Sequence, residues 1–80
     1  RRLLMKRRRI RATLRVRPGV AFGKMETLMQ AQGIHVFSHR TFEHEDDRTF
    51  ELHLVGATQQ LDLMVDSLRR DKDVISIVTE

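Results

Sequence analysis

Ile10, Ala12, Leu14 and Val16 alternate with Arg11, Thr13, Arg15 and Arg17. A period of two residues puts the apolar set on one side of a strand and the polar set on the other, so residues 10–17 are predicted to form a strand with one wet face. Pro18-Gly19 ends it, because proline has no amide to give to a ladder and glycine admits a tight turn. The period then lengthens. Val20, Ala21, Met25, Leu28 and Met29, with Phe22 beside them, recur at helical spacing as far as Gln32, and Gly33 supplies the left-handed residue that ends a helix.

Residues 34–43 are rich in β-branched and aromatic side chains (Ile34, Val36, Phe37, Thr41, Phe42), and Glu45-Asp46-Asp47 is too polar to continue a core strand. Arg48 to Val55 resumes alternation, with Phe50, Leu52 and Leu54 opposite Glu51 and His53, which predicts a hairpin. Gly56 closes it. Thr58 is then read as the N-cap of a helix through Arg70, striped by Leu61, Met64, Val65 and Leu68. Val74 to Val78 is a last β-rich run. With right-handed crossovers the order strand, helix, strand, strand, helix, strand predicts an α+β, ferredoxin-like βαββαβ domain, whose four-stranded antiparallel sheet carries both helices on one face. The other face of the sheet stays open for a partner.

Eighty residues, 40% of them hydrophobic and 32% charged, are one domain's worth of chain with a thin core, which argues against a deep enclosed active site. The absence of cysteine excludes disulfides and thiolate metal sites. No run approaches the roughly 20 apolar residues of a membrane span. Because the first residue is Arg1, the chain is expected to be a piece of a longer protein.

Charge divides the molecule. Residues 1–17 hold nine of the fifteen basic side chains and none of the eleven acidic ones. A basic linker over 1–9 (Arg1, Arg2, Lys6, Arg7, Arg8 and Arg9 are its cations) is therefore expected ahead of the folded domain at 10–80. Three uses compete for it. As a juxtamembrane segment it would rest on anionic lipid, each cation gaining about 1 kcal/mol. As a nucleic-acid arm it would displace counterions, but Trp and Tyr are absent and no basic face or aromatic platform is predicted, so nucleic acid is not the expected partner. The third use is a solvated linker with no partner, which is compatible with the first.

Catalytic chemistry is hard to assemble. There is no cysteine nucleophile, no Gly-rich phosphate loop and no paired-histidine zinc motif, so no enzyme and no cofactor are expected. The histidines are the sharpest feature. His35 and His39 share a strand face by alternation, and if the hairpin turn centres on Asp46, His39 lies opposite His53, a spacing that could hold zinc, nickel or copper. A register shift of one residue separates them, leaving histidines on a polar sheet face. The run Glu43, Glu45, Asp46, Asp47 reads as a solvated hairpin tip, and Met25, Met29 and Met64 as core filler.

Pro18-Gly19 at the first strand-to-helix junction, Gln32-Gly33-Ile34 at the end of that helix, and Asp71-Lys72-Asp73-Val74-Ile75-Ser76-Ile77-Val78 at the finish resemble the ACT domain, a regulatory module appended to amino-acid enzymes, stringent-response enzymes and some membrane proteins. After a basic, juxtamembrane-like segment, the body looks most like the C-terminal cytoplasmic domain of the MgtC family, bacterial membrane proteins associated with magnesium homeostasis. That resemblance implies a non-catalytic regulatory domain on the cytoplasmic face of the cell membrane, partnered by its own membrane domain and by anionic lipid, with a homodimer formed through the sheet. The family's usual aromatic residue after the last strand is replaced here by Thr79-Glu80. This keeps open the alternative of an effector-binding ACT domain on a soluble amino-acid or stringent-response enzyme. The resemblance places any small ligand at Arg17, Pro18, Gly19 and Val20. ACT domains that bind amino acids carry an acid or amide two residues before this turn to meet the ammonium, and Val16 stands there instead.

Overall fold

A computed structural model describes residues 6–80. Its elements run β1 (Arg7–Val16), α1 (Phe22–Ala31), β2 (His35–Glu43), β3 (Arg48–Ala57), α2 (Thr58–Arg69) and β4 (Val74–Thr79). All pairings are antiparallel, in the order β2-β3-β1-β4. This is the predicted ferredoxin-like sheet. The alternation in β1 is realised in full from Ile10 onward: Ile10, Ala12, Leu14 and Val16 are buried while Arg9, Arg11, Thr13 and Arg15 are exposed.

Both helices lie over the buried side. Met25 and Met29 from α1 and Leu61, Met64 and Leu68 from α2 join Leu14, Val16, Phe50, Leu52, Leu54 and Ile77 in one apolar cluster. Apart from Ala21, which is exposed and caps α1 from outside, the stripes predicted from the sequence are the ones that face the sheet.

The turns follow from residue type. Val20 N–H donates to Arg17 O across 3.3 Å, with Gly19 at φ 84 in the position where a type II turn needs a positive angle and Pro18 before it. At the end of α1, Gly33 at φ 77 donates to Gln30 O (2.9 Å), and Ile34 N–H reaches back to Met29 O (3.0 Å). This double bond pattern satisfies carbonyls that would otherwise be orphaned at the helix end.

Three local expectations change. The N-cap of α2 is Ala57, with no side-chain bond, so Thr58 is the first helical residue and not the cap. Pairing of β1 begins at Arg7, opposite Ala57, so Arg7, Arg8 and Arg9 are strand and not linker. β3 runs on through Val55, Gly56 and Ala57 and supplies those rungs whatever the side chains on β1. The hairpin register also differs by one residue, with consequences for the histidines described below.

Candidate functional site

Around the Arg17–Val20 turn, the structure joins three segments. Arg17 N–H donates to Asp73 O (3.0 Å), and its Nε donates to Lys72 O (2.8 Å). Val20 O accepts from Arg48 Nη1 at 2.6 Å, and Arg48 Nε lies 2.6 Å from Glu43 Oε2. Lys24, in the first turn of α1, bonds the Asp73 carboxylate and lies 3.7 Å from Asp71 Oδ1. The bond from Lys24 holds the Asp73 carboxyl below its ordinary value, and the same bond raises the Lys24 ammonium. The turn is thus tied to the β4 approach on one side and to β3 on the other. Val16, where an amine's counter-charge would stand, is fully buried. The nearby carboxylates of Asp71 and Asp73 are engaged by Lys24.

The basic segment divides at its described boundary. Arg1 and Arg2 lie outside the described residues. Lys6 O accepts from Thr58 N–H at 3.3 Å, which fastens the start of β1 to the end of β3. Arg7, Arg9, Arg11 and Arg15 project by alternation onto the open face of the sheet, and Arg8 onto the helix side. Arg9 stacks over the Phe37 ring, its Cζ 5.2 Å from the centroid.

The histidines are not brought together. A four-residue turn closed by His44 N–H donating to Asp47 O (2.9 Å) pairs Glu43 with Arg48, and this sets His39 opposite Leu52 instead of His53. Residues directly opposite share a face, so His39 belongs to the helix side. There it stacks on Phe22, with centroids 3.7 Å apart and planes within 8°. A bulge at Phe37 then shifts the register, returning His35 to the open face opposite Val55. His53 on that face meets the edge of Phe37 at 5.5 Å. Among the described residues no group of three or more His, Asp or Glu side chains has metal-holding geometry.

The open face is polar with apolar islands. Phe37 and Val78 are exposed on it, and a shallow hollow of about 280 Å³ is lined by Arg11, Arg40, Glu51, His53 and Val78. Two of its ion pairs are loose, Arg11 with Glu80 at 3.9 Å and Arg40 with Glu51 at 4.0 Å. One is tight. Asp47, read from sequence as part of a wet hairpin tip, is buried and takes two bonds from Arg15. No local signal in the sequence pairs these two residues.

The architecture is that of an ACT-like ferredoxin fold, a small domain without an enclosed catalytic pocket among its described residues. Among solved structures it is similar to the C-terminal domain of the MgtC protein from Mycobacterium tuberculosis, with a TM-score of 0.61 and 20% identity over 90% of this chain and 84% of that one. The ACT domain from GTP pyrophosphokinase of Chlorobium tepidum gives 0.71 at 10% identity, over 92% and 86% of the two chains. A homoserine dehydrogenase from Thiobacillus denitrificans gives 0.77 at 9% identity, and this chain spans 17% of its length. At these identities the likeness is one of fold. No family profile matches the sequence, and no curated protein is significantly similar to it. No helix among the described residues is long and apolar enough to cross a membrane.

Proposed function

We propose that this chain is a non-catalytic regulatory or interaction domain on the cytoplasmic side of an MgtC-like bacterial membrane protein. The observation that carries this reading is the state of the Arg17–Val20 turn. An amino-acid effector needs a carboxylate or amide beside the turn for its ammonium. Here Arg17 N–H and its side chain are committed to Asp73 O and Lys72 O, and Val16 supplies no counter-charge. The MgtC domain is matched at 20% identity and the pyrophosphokinase ACT domain, of like coverage, at 10%, which is in keeping with the same choice.

In this reading the domain works by docking. Arg1, Arg2, Lys6, Arg7, Arg8 and Arg9 meet the anionic headgroups beside the membrane part of the parent, and the binding weakens as salt screens it. The sheet face serves a second copy or the parent's own membrane domain.

The test is a titration of the chain with the common amino acids and with magnesium, followed by backbone amide shifts. Weak, unsaturated changes are expected. Saturable micromolar shifts clustered at Arg17 to Phe22 with one amino acid would replace this reading by the effector domain of a soluble enzyme. Fractionation of the full-length parent gives the second arm: recovery in the membrane pellet is expected, and recovery in the soluble fraction overturns it.

A further inference from the structure

A linker can turn its cations in any direction, and a strand cannot. Arg7, Arg8 and Arg9 pair with Ala57, Gly56 and Val55, and this pairing fixes where each side chain goes. Arg7 and Arg9 project onto the open face and Arg8 onto the helix side. Arg11 continues the open-face row at steps of about 7 Å along β1, and Arg40 joins it from β2, opposite Glu51. Arg15 stands farther along, engaged by Asp47. The arginines assigned above to anionic headgroups are therefore parts of a rigid surface, and whatever they meet, the rest of that surface meets as well.

We propose that the open face of the sheet, centred on Arg9, Arg11 and Phe37, lies flat on anionic phospholipid headgroups with both helices turned away from the bilayer. Such docking rests on the membrane reading above and adds to it a surface and an orientation, beside the parent's own membrane domain. Phe37 is 42% exposed, and the Arg9 guanidinium lies over its ring with Cζ 5.2 Å from the centroid. A guanidinium binds phosphate through paired N–H groups, and an apolar ring next to it can enter the boundary just below the headgroups. Beside them a hollow of about 360 Å³, lined by Arg9, Ile10, Arg11, Phe37, His53 and Glu80, gives a phosphate room between two guanidinium groups. Val78, 61% exposed, adds a second apolar contact opposite Thr13.

Two carboxylates share the face. Glu80 lies 3.9 Å from Arg11 Nε and Glu51 lies 4.0 Å from Arg40 Nη1, and all four side chains are at least half exposed. Ion pairs this loose and wet hold an arginine weakly, so both guanidinium groups can turn to phosphate. The helix side offers no such row: the wet surface of α2 carries Asp62 and Asp66 ahead of Arg69 and Arg70, and Arg8 shares a small hollow with Asp62. Anionic lipid therefore favours the open face. A second copy does not, because arginine is in excess on both faces that would meet. Nucleic acid is also a polyanion, but Arg9 covers one face of the Phe37 ring and His53 meets its edge, which leaves little of the ring for a base to stack on.

The probe is a vesicle of phosphatidylcholine with phosphatidylserine, with phosphatidylcholine alone as control, and partition of the 80-residue chain is read by sedimentation. Arg8→Glu and Arg9→Glu make the same charge change at adjacent exposed residues on opposite faces, so they separate a docked face from a basic arm. Arg9→Glu and Arg11→Glu are each expected to weaken partition about tenfold, and Arg8→Glu no more than about twofold. Phe37→Ser should weaken it severalfold at the same net charge. Because the chain has no cysteine, a polarity-sensitive fluorophore can be attached at Ser38→Cys on the open face or at Gln30→Cys on α1. On the vesicles its emission is expected to shift to the blue at the first site and not at the second. Equal losses from Arg8→Glu and Arg9→Glu, or a shift at Gln30→Cys alone, would overturn the docked face and leave the membrane reading standing with a polybasic arm. A wild-type chain that ignores both vesicles would remove the lipid contact and the docked face together. Binding of a single-stranded oligonucleotide in preference to the vesicles would give the face to nucleic acid. A blue shift at Ser38→Cys that grows with protein concentration in the absence of lipid would give it to a second copy.

Discussion

Arg15 on β1 binds Asp47 in the β2–β3 turn through Nε at 2.9 Å and Nη2 at 2.5 Å, both to the same carboxylate oxygen. The pair spans 32 residues of sequence and pins the tip of the hairpin to the middle of the sheet. Its members are unequally wet: the Asp47 side chain is 13% exposed and that of Arg15 47%. Removing the arginine therefore leaves a carboxylate poorly solvated, whereas removing the carboxylate leaves a cation that water can reach. Arg15→Ala is expected to cost about 1–3 kcal/mol, and Asp47→Ala about 1 kcal/mol after allowing for the exposed partner. In chemical denaturation the double variant should resemble Asp47→Ala alone, a coupling as large as the Arg15→Ala loss, about 1–3 kcal/mol. Additive single losses would mean that the two residues act separately.

A second tie is pH-sensitive. The bond from Lys24 holds the Asp73 carboxyl below its ordinary 3.8, so its contribution is complete above that value and is lost as the pH falls through the depressed folded value. Lys24 is raised above its ordinary 10.5 by the same bond, so its share is complete below 10.5 and is lost as the pH rises through the raised folded value. Lys24 is exposed and Asp73 partly so, and added salt should shrink the effect. Thermal melts are expected to fall less steeply in acid for Asp73→Asn than for the wild type. An unchanged acid limb in the variant would show that the bond does not form in solution.

The stack of His39 on Phe22 fastens the first residue of α1 to β2, and Phe22 in turn meets the edge of Phe50 at 5.5 Å. α1 has no side-chain N-cap, so this ring contact takes over part of the task of fixing where the helix begins. His39→Ala should cost about 1 kcal/mol and raise hydrogen exchange in the first turn of α1, and His39→Phe should restore both. Loss of stability in the phenylalanine variant as well would assign His39 a hydrogen-bonding role that the ring geometry does not include.

How far the sequence could be read depended on whether a decision was local. Alternation in β1, the Pro18-Gly19 turn and the Gly33 cap are each set by residues within a few positions of one another, and all three were legible. Hairpin register was not. It rests on whether the turn holds four residues or five, and the polar run Glu43 to Asp47 accepts either until Asp47 is claimed by Arg15 from another strand. The bulge at Phe37 was equally hidden, because an extra residue in a strand leaves no mark in a pattern of polar and apolar types. These two choices dispersed the histidines. The Arg17–Val20 turn was located correctly by residue type, but its closure by Asp73 and Lys72 depends on how β4 approaches β1, which is a tertiary fact.

Gly56 gives the sharpest test of packing. It lies on the buried side of β3, and a Cβ built there would stand 2.3 Å from Ile34 Cδ1, with Leu61 Cδ2 at 3.6 Å in ordinary contact. The backbone of β3 can therefore approach the Ile34 side chain at the end of α1 only because this position lacks a side chain. Ile34 is 1% exposed, so its end methyl cannot swing out to water and must find room inside a filled core. Gly56→Ala is expected to cost about 1–3 kcal/mol, read from the denaturation midpoint. Ile34→Val removes the clashing Cδ1 and alone should cost about 1 kcal/mol for the methyl lost from the core. Placed in the Gly56→Ala background, however, the same change removes the overlap, and the double variant should be at least as stable as Gly56→Ala by itself. If Ile34→Val instead cost the same in both backgrounds, the alanine methyl would not be meeting Ile34, and the close approach of β3 to that side chain would be wrong.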